Sequence, residues 1–173
     1  MNDWIEAFHQ TIDHASEQLL QISEEQSEIP RATGKWSPKE IVGHLIDSAA
    51  NNHQRFVRAQ FTDELVFPAY EQVDWVRVQR YQDRSWAQLV ELWRHYNLHL
   101  AHVMSSIPEE TRTTSRARHN LHQLAWQTVD QNEPVTLEYF MRDYVGHLQH
   151  HLDQILAPGS TGSSNAARHV SRG

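Results

Sequence analysis

Three histidines carry the chemical interest of this chain. His147 and His151 stand four apart in Tyr144-Val-Gly-His147-Leu-Gln-His150-His151-Leu-Asp-Gln154-Ile155. On a helix that spacing stacks both side chains on one face, one turn apart. Far upstream, His44 closes the run Trp36-Ser-Pro-Lys-Glu-Ile-Val-Gly-His44-Leu. A third imidazole from a second helix would complete a three-nitrogen face for a divalent cation and leave outer positions for water or substrate, whereas a closed structural site normally takes a fourth protein ligand.

The surrounding residues say which way these side chains point. His147 and His151 fall within the apolar stripe of Phe140, Tyr144, Leu148 and Ile155, and His44 lies between Ile41 and Leu45. Imidazoles among aliphatic neighbours need partners, because unpaired buried polar groups are costly, and one metal would supply all three. Asp47, one turn after His44, and Asp143, one turn before His147, are placed to accept an Nδ1 proton, although either can equally be an ordinary surface carboxylate. Ser48 and Asn52 continue the His44 face and either line a substrate pocket or pack as small polar residues between helices. His150 projects to a different flank, toward solvent. His95, His99 and His102 form a rival set, but they flank an apolar stripe beside Glu91 and Asn97, where a solvated face explains them. His119 and His122 sit in irregular sequence, and His169 sits in the tail. The pair lacks the Glu of a His-Glu-x-x-His protease, and the chain has no glycine-rich phosphate loop or nucleophile elbow.

The elements that must position these residues are helical. A first amphipathic pattern runs from Asp3 to about Glu25, with Ile5, Phe8, Ile12, Ala15, Leu19 and Ile22 at three-to-four spacing. The second opens at Ser37 as N-cap, with Pro38 at the first helical position and Glu40 closing a capping box. Residues 62–84 read as an irregular connection laid over the bundle, with Phe67-Pro68-Ala-Tyr70 and Asp74-Trp75 packing down as a lid; a connection of that length usually has a role. The third helix is predicted from Ser85, with Gln88 in a second capping box, to about Ile107, before Pro108. Residues 109–135 are polar and irregular, open to a short helix or a hairpin, with Leu121, Leu124, Trp126 and Val129 as anchors. The fourth helix starts near Thr136 and runs to about Leu156. The expectation is an all-α, antiparallel four-helix bundle over 1–156, with long connections after the second and third helices, followed by a flexible tail over 157–173 that lacks the apolar residues to order itself.

Composition narrows the function. The chain has 173 residues, a formal net charge of −7 and no cysteine, so thiolate sites and disulfides are excluded and broad attraction to nucleic-acid phosphate is disfavoured. There is no basic, apolar leader at the N-terminus and no run long enough to cross a bilayer, so the expectation is a soluble cytoplasmic protein with neither a membrane nor a nucleic-acid partner.

Taken together, Gly34-Lys-Trp-Ser-Pro-Lys-Glu-Ile-Val-Gly-His44-Leu-Ile-Asp-Ser48, Asn52, Arg55-Phe56, Pro68-Ala-Tyr70-x-x-x-Asp74-Trp75, Val135-Thr136-Leu137 and Tyr144-x-x-His147-x-x-His150-His151-x-x-Gln154-Ile155 resemble the DinB/YfiT-like superfamily of metalloenzymes, over about residues 3–156. The resemblance implies a four-helix bundle whose divalent ion is held by His44, His147 and His151. Zinc or nickel is the usual occupant, with manganese and iron as further candidates. It also implies a homodimer and a small-molecule substrate, in some relatives a low-molecular-weight thiol. Two functions follow as expectations: a metal-dependent thiol S-transferase or hydrolase, or a non-catalytic metal- or ligand-binding bundle in a stress response. Some relatives carry a fourth histidine where this chain has Gln154.

Overall fold

The computed structural model describes residues 3–157. Apart from Ala157, the expected tail lies outside the described residues. Four long helices, α1 (Asp3–Leu19), α3 (Pro38–Arg58), α5 (Trp86–Ser106) and α8 (Leu137–Leu156), enclose the core, and short elements fill their connections. Each long helix packs beside two others, in the ring order α1, α5, α3, α8. This order sets α3 against α8, and so brings His44 to the His147/His151 pair.

The start of α3 is as the sequence predicts. The Ser37 side chain accepts from the Glu40 backbone N–H, the Glu40 carboxylate accepts from the Ser37 backbone N–H, and Pro38 occupies the first turn. From Pro38 to Ala49 nearly every residue of α3 is buried, so this helix runs through the middle of the fold rather than along its surface. The first helix is shorter than its apolar periodicity suggests. It stops at Leu19, because Ser23 forms a second capping box with Gln26 and starts a separate helix, α2 (Glu24–Glu28). The box expected at Ser85 is absent: the Ser85 side chain makes no cap, and the Trp86 N–H donates instead to Glu24 Oε2 at 2.9 Å. The orphan donor at the α5 N-terminus is thus satisfied from another element. Lys39 is buried beneath α2, bonded to both Glu24 and Glu28. Burial alone would depress its pKa, but the two carboxylates outweigh that and raise it.

The connection after α3 is more ordered than its sequence pattern. It holds 3-10 turns over Ala59–Phe61 and Tyr81–Asp83 on either side of α4 (Gln72–Gln79). Arg80 takes the left-handed conformation (φ 51°) between α4 and the second turn, and this turns Tyr81 down onto α3. There the ring lies where a Cβ on Gly43 would stand, 2.1 Å from Tyr81 Cδ2, so only glycine admits it. The lid expected of the aromatics is partial. Phe67 is buried, Tyr70 half-buried and Trp75 exposed.

The connection after α5 takes the short-helix alternative and adds a strand pair whose members lie too far apart in sequence to be a hairpin. Short helices α6 (Glu109–Thr113) and α7 (Leu121–Leu124) accompany an antiparallel pair, β1 (Ser115–Arg116) with β2 (Val135–Thr136). The Asn120 side chain ties the two connections together by accepting from the Phe67 N–H and donating to the Phe67 carbonyl. Of the expected anchors Leu121 is fully buried, whereas Trp126 is 41% exposed. Among the described residues no helix is long and apolar enough to cross a membrane.

Candidate metal centre

α3 supplies His44 and α8 supplies His147 and His151, and their ring nitrogens converge. His44 Nε2 stands 3.3 Å from His147 Nε2, and His147 Nε2 stands 3.1 Å from His151 Nε2. Two nitrogens each about 2.0–2.1 Å from one ion at the tetrahedral angle stand roughly 3.3 Å apart. These two spacings fit a shared divalent ion. Among the described residues these three histidines are the one group whose ligand atoms gather this closely, all within 4.8 Å of one another. No fourth histidine or carboxylate joins them among the described residues. The donor set is one of neutral imidazoles, which suits zinc, nickel, copper or iron.

Electrostatics keep these rings ready as ligands. Burial lowers the His44 pKa to about 3, with the proximity of His151 adding to the effect. Burial also lowers His147 well below the ordinary histidine value, reinforced by His151, His44 and His150. A ligating imidazole must be neutral, and here burial enforces neutrality before any metal arrives. In the unfolded chain His44 regains its ordinary pKa near 6.5, so the unfolded state takes up this proton first. The stability that His44 contributes is intact above about pH 6.5 and is lost as pH falls from there toward 3. For this one group the loss is on the order of 1 kcal/mol per pH unit. Melting temperatures of the metal-free protein at pH 7, 6, 5 and 4 should fall across that window, and a flat profile would contradict the burial of His44.

The second layer differs from the sequence expectation. Asp47 does not receive an imidazole proton. Its Oδ1 accepts from the Tyr81 hydroxyl at 2.7 Å and from the Gln79 amide, while Oδ2 is buried without a partner. Burial raises the Asp47 pKa against these two hydrogen bonds. Asp143 accepts from the backbone N–H groups of Trp126 and Gln127 and so anchors the second connection to α8. The residue that does orient one of the three rings is Gln154. His151 Nδ1–H donates to Gln154 Oε1 at 2.9 Å, which leaves Nε2 as the free donor facing the other rings. The Gln154 amide in turn donates to His150 Nε2 at 3.1 Å. The i, i+3 spacing of His151 and Gln154 was the available signal. Second-layer partners of metal-bound histidine are worth roughly 10–100-fold in affinity, so Gln154→Ala should weaken zinc binding about tenfold in a chelator competition. An unchanged affinity would show that the tautomer is set elsewhere.

Other predicted residues fall at varied distance from the cluster. Trp36 packs a tilted ring 5.2 Å from His44, forming one wall. Ser48 and Asn52 are buried and bonded to each other, one and two turns along α3. Tyr144 is buried and donates to Asn97 Oδ1 at 2.5 Å, so it ties α8 to α5 and does not face the histidines through its hydroxyl. Asn97 is accordingly fully buried, contrary to its place on a solvated face. His95, His99 and His102 are exposed, as is His150. His150 lies under the Trp126 ring at 5.4 Å. His119 is occupied with the Leu121 N–H and the Glu133 carbonyl of its own connection.

The architecture matches a solved structure, and the sequence matches a family model. In fold the chain is similar to YfiT from Bacillus subtilis, described as a probable metal-dependent hydrolase with an unusual four-helix bundle topology. The TM-score is 0.68 at 18% identity, over 90% of this chain and 85% of that one. No curated protein sequence matches the chain. The family model of the DinB superfamily matches residues 7–155, and the chain belongs to that superfamily.

Proposed function

We propose that this protein is a metal-dependent enzyme acting on a small molecule, with His44, His147 and His151 as the metal ligands. The observation that carries the reading is the convergence of three neutral imidazoles, His44 buried and His147 and His151 half-buried, at ligand spacing with no fourth donor among the described residues. A divalent ion bound there supplies a Lewis acid with coordination positions open to a nucleophile and an electrophilic substrate. Zinc or nickel is the proposed occupant. The protein's own contribution is to hold the three rings neutral by burial, to set the His151 tautomer through Gln154, and to wall the site with Trp36. Asp47 is the carboxylate assigned to hold a proton, at its unpartnered Oδ2 one turn from His44. The reaction is hydrolysis, or transfer to a low-molecular-weight thiol; both use the same platform and differ in the nucleophile. The similarity in fold to a protein described as a probable metal-dependent hydrolase supports the first. The resemblance that supports the second also carries the expectation of a homodimer.

The test is to load the protein separately with zinc, nickel, manganese and ferrous iron. Ester, amide and lactone hydrolysis are then assayed, alongside conjugation of cysteine-derived thiols to an electrophile. Activity should require the metal and vanish in His147→Ala. A metallated protein inactive across all metals and both reaction types would favour a non-catalytic ligand-binding bundle.

A further inference from the structure

One buried cation has no role in the scheme above. Arg55 is 6% exposed and lies on the same side of α3 as His44, Ser48 and Asn52, following them at helical spacing. Other buried basic side chains have an acidic neighbour. Lys39 pairs with Glu24 and Glu28, Arg112 pairs with Glu138, and Arg116 feels the charge of Asp63. Arg55 bonds only neutral acceptors, the Asn52 side-chain oxygen at 3.4 Å and the Pro68 carbonyl at 2.8 Å, and no carboxylate pairs with it among the described residues. A guanidinium offers five N–H donors in a planar fork suited to a carboxylate, and leaving such a charge buried without a counter-charge is expensive.

Its setting is polar at each turn. From His44 the shared side of α3 presents Ser48, then Asn52, then Arg55, all buried. The segment after α3 lies over this side, with the Pro68 carbonyl on Arg55 and Tyr70 near Ser48. A buried polar lane starting at the metal ligand and ending at an uncompensated cation has the layout of a site that takes an elongated molecule with a charged end.

We propose that Arg55 anchors the anionic end, a carboxylate, of a small-molecule substrate whose reacting end lies at the three histidines. This deepens the metalloenzyme reading and rests on it for the position of the reacting end. Eight residues separate His44 from Asn52, the level to which the guanidinium leans back, and at 1.5 Å per residue this sets a reach on the order of 10 Å. A chain of six to eight atoms spans it.

The experiment compares 6-mercaptohexanoate with 6-mercaptohexanol, which share a thiol and length and differ in the charged end. Binding to the cobalt-loaded protein is read from the thiolate–cobalt absorption band, and binding to the metal-free protein from titration calorimetry. In the wild type the acid should bind at least about tenfold more tightly than the alcohol, in line with a charge-assisted pair. Arg55→Met should erase that preference, and Arg55→Lys should keep part of it. Equal affinities in the wild type, a preference that survives in Arg55→Met, or no binding of either compound in both forms would overturn the proposal. If the acid binds the metal-free protein selectively but neither thiol alters the cobalt band, the anchor stands and the open-coordination reading fails.

Discussion

Replacing His147 with alanine is expected to reduce divalent-metal affinity by at least about 100-fold, beyond the range seen for second-layer partners alone. His147 is the middle donor. Its Nε2 lies 3.3 Å from that of His44 and 3.1 Å from that of His151, so its removal leaves two nitrogens from different helices with no bridging third. Helix α8 should persist, because alanine is the better helix former and the apolar face of Phe140, Leu148 and Leu152 is untouched. The measurement is the metal-induced rise in melting temperature. With free zinc at 100 times the dissociation constant, the wild type gains about 2.7 kcal/mol, and the variant should gain almost none while its metal-free circular dichroism matches the parent. His150→Ala is the matched control. That ring is exposed and turned toward Trp126 and Gln154, so its loss should change affinity far less. Full zinc content in His147→Ala would refute the ligand assignment.

The second large effect is expected at a residue that touches no metal. Gly43→Ala would place a methyl group 2.1 Å from Cδ2 and 2.4 Å from Cγ of Tyr81. These atoms belong to the root and edge of a buried ring whose hydroxyl is bonded to Asp47, so the ring has no easy retreat. Overpacking and a lost buried hydrogen bond outweigh the ~1 kcal/mol that alanine gains in a helix, for a net destabilisation of roughly 2–3 kcal/mol. In a domain of this size that is a fall of about 5–10 °C in melting temperature. The origin can be isolated with Tyr81→Leu. In that background Gly43→Ala should cost much less, because the colliding ring is gone, and strictly additive effects would place the strain somewhere other than this contact.

How far the molecule was legible beforehand depends on whether the deciding contact was local. The start of α3 was readable because Ser37, Pro38 and Glu40 act within one turn. The histidine triad was readable because spacing fixed which side of each helix they share. The early stop of α1 was missed although its cause is also local. Ser23 and Gln26 carry a capping signal that the continuing apolar periodicity masked. The cap of α5 was misread for the opposite reason: Glu24, distant in sequence, reaches the Trp86 N–H and makes the local box unnecessary. Asp47 looked like a partner for His44 from spacing alone, but Tyr81 and Gln79 claim its oxygen from a connection whose folded course no periodicity reports. Gln154 was noticed as a departure from relatives rather than as the residue that orients His151, since one-turn adjacency does not reveal which way an amide faces.

The ring order of the helices also sets when the three histidines can come together. Two of the three donors reside on α8, the last helix of the described chain, and the third lies on α3, so a nascent polypeptide emerging from the ribosome carries His44 long before it has anything to share a cation with. The three-histidine cluster therefore assembles only after two helices far apart in sequence, α3 and α8, have docked.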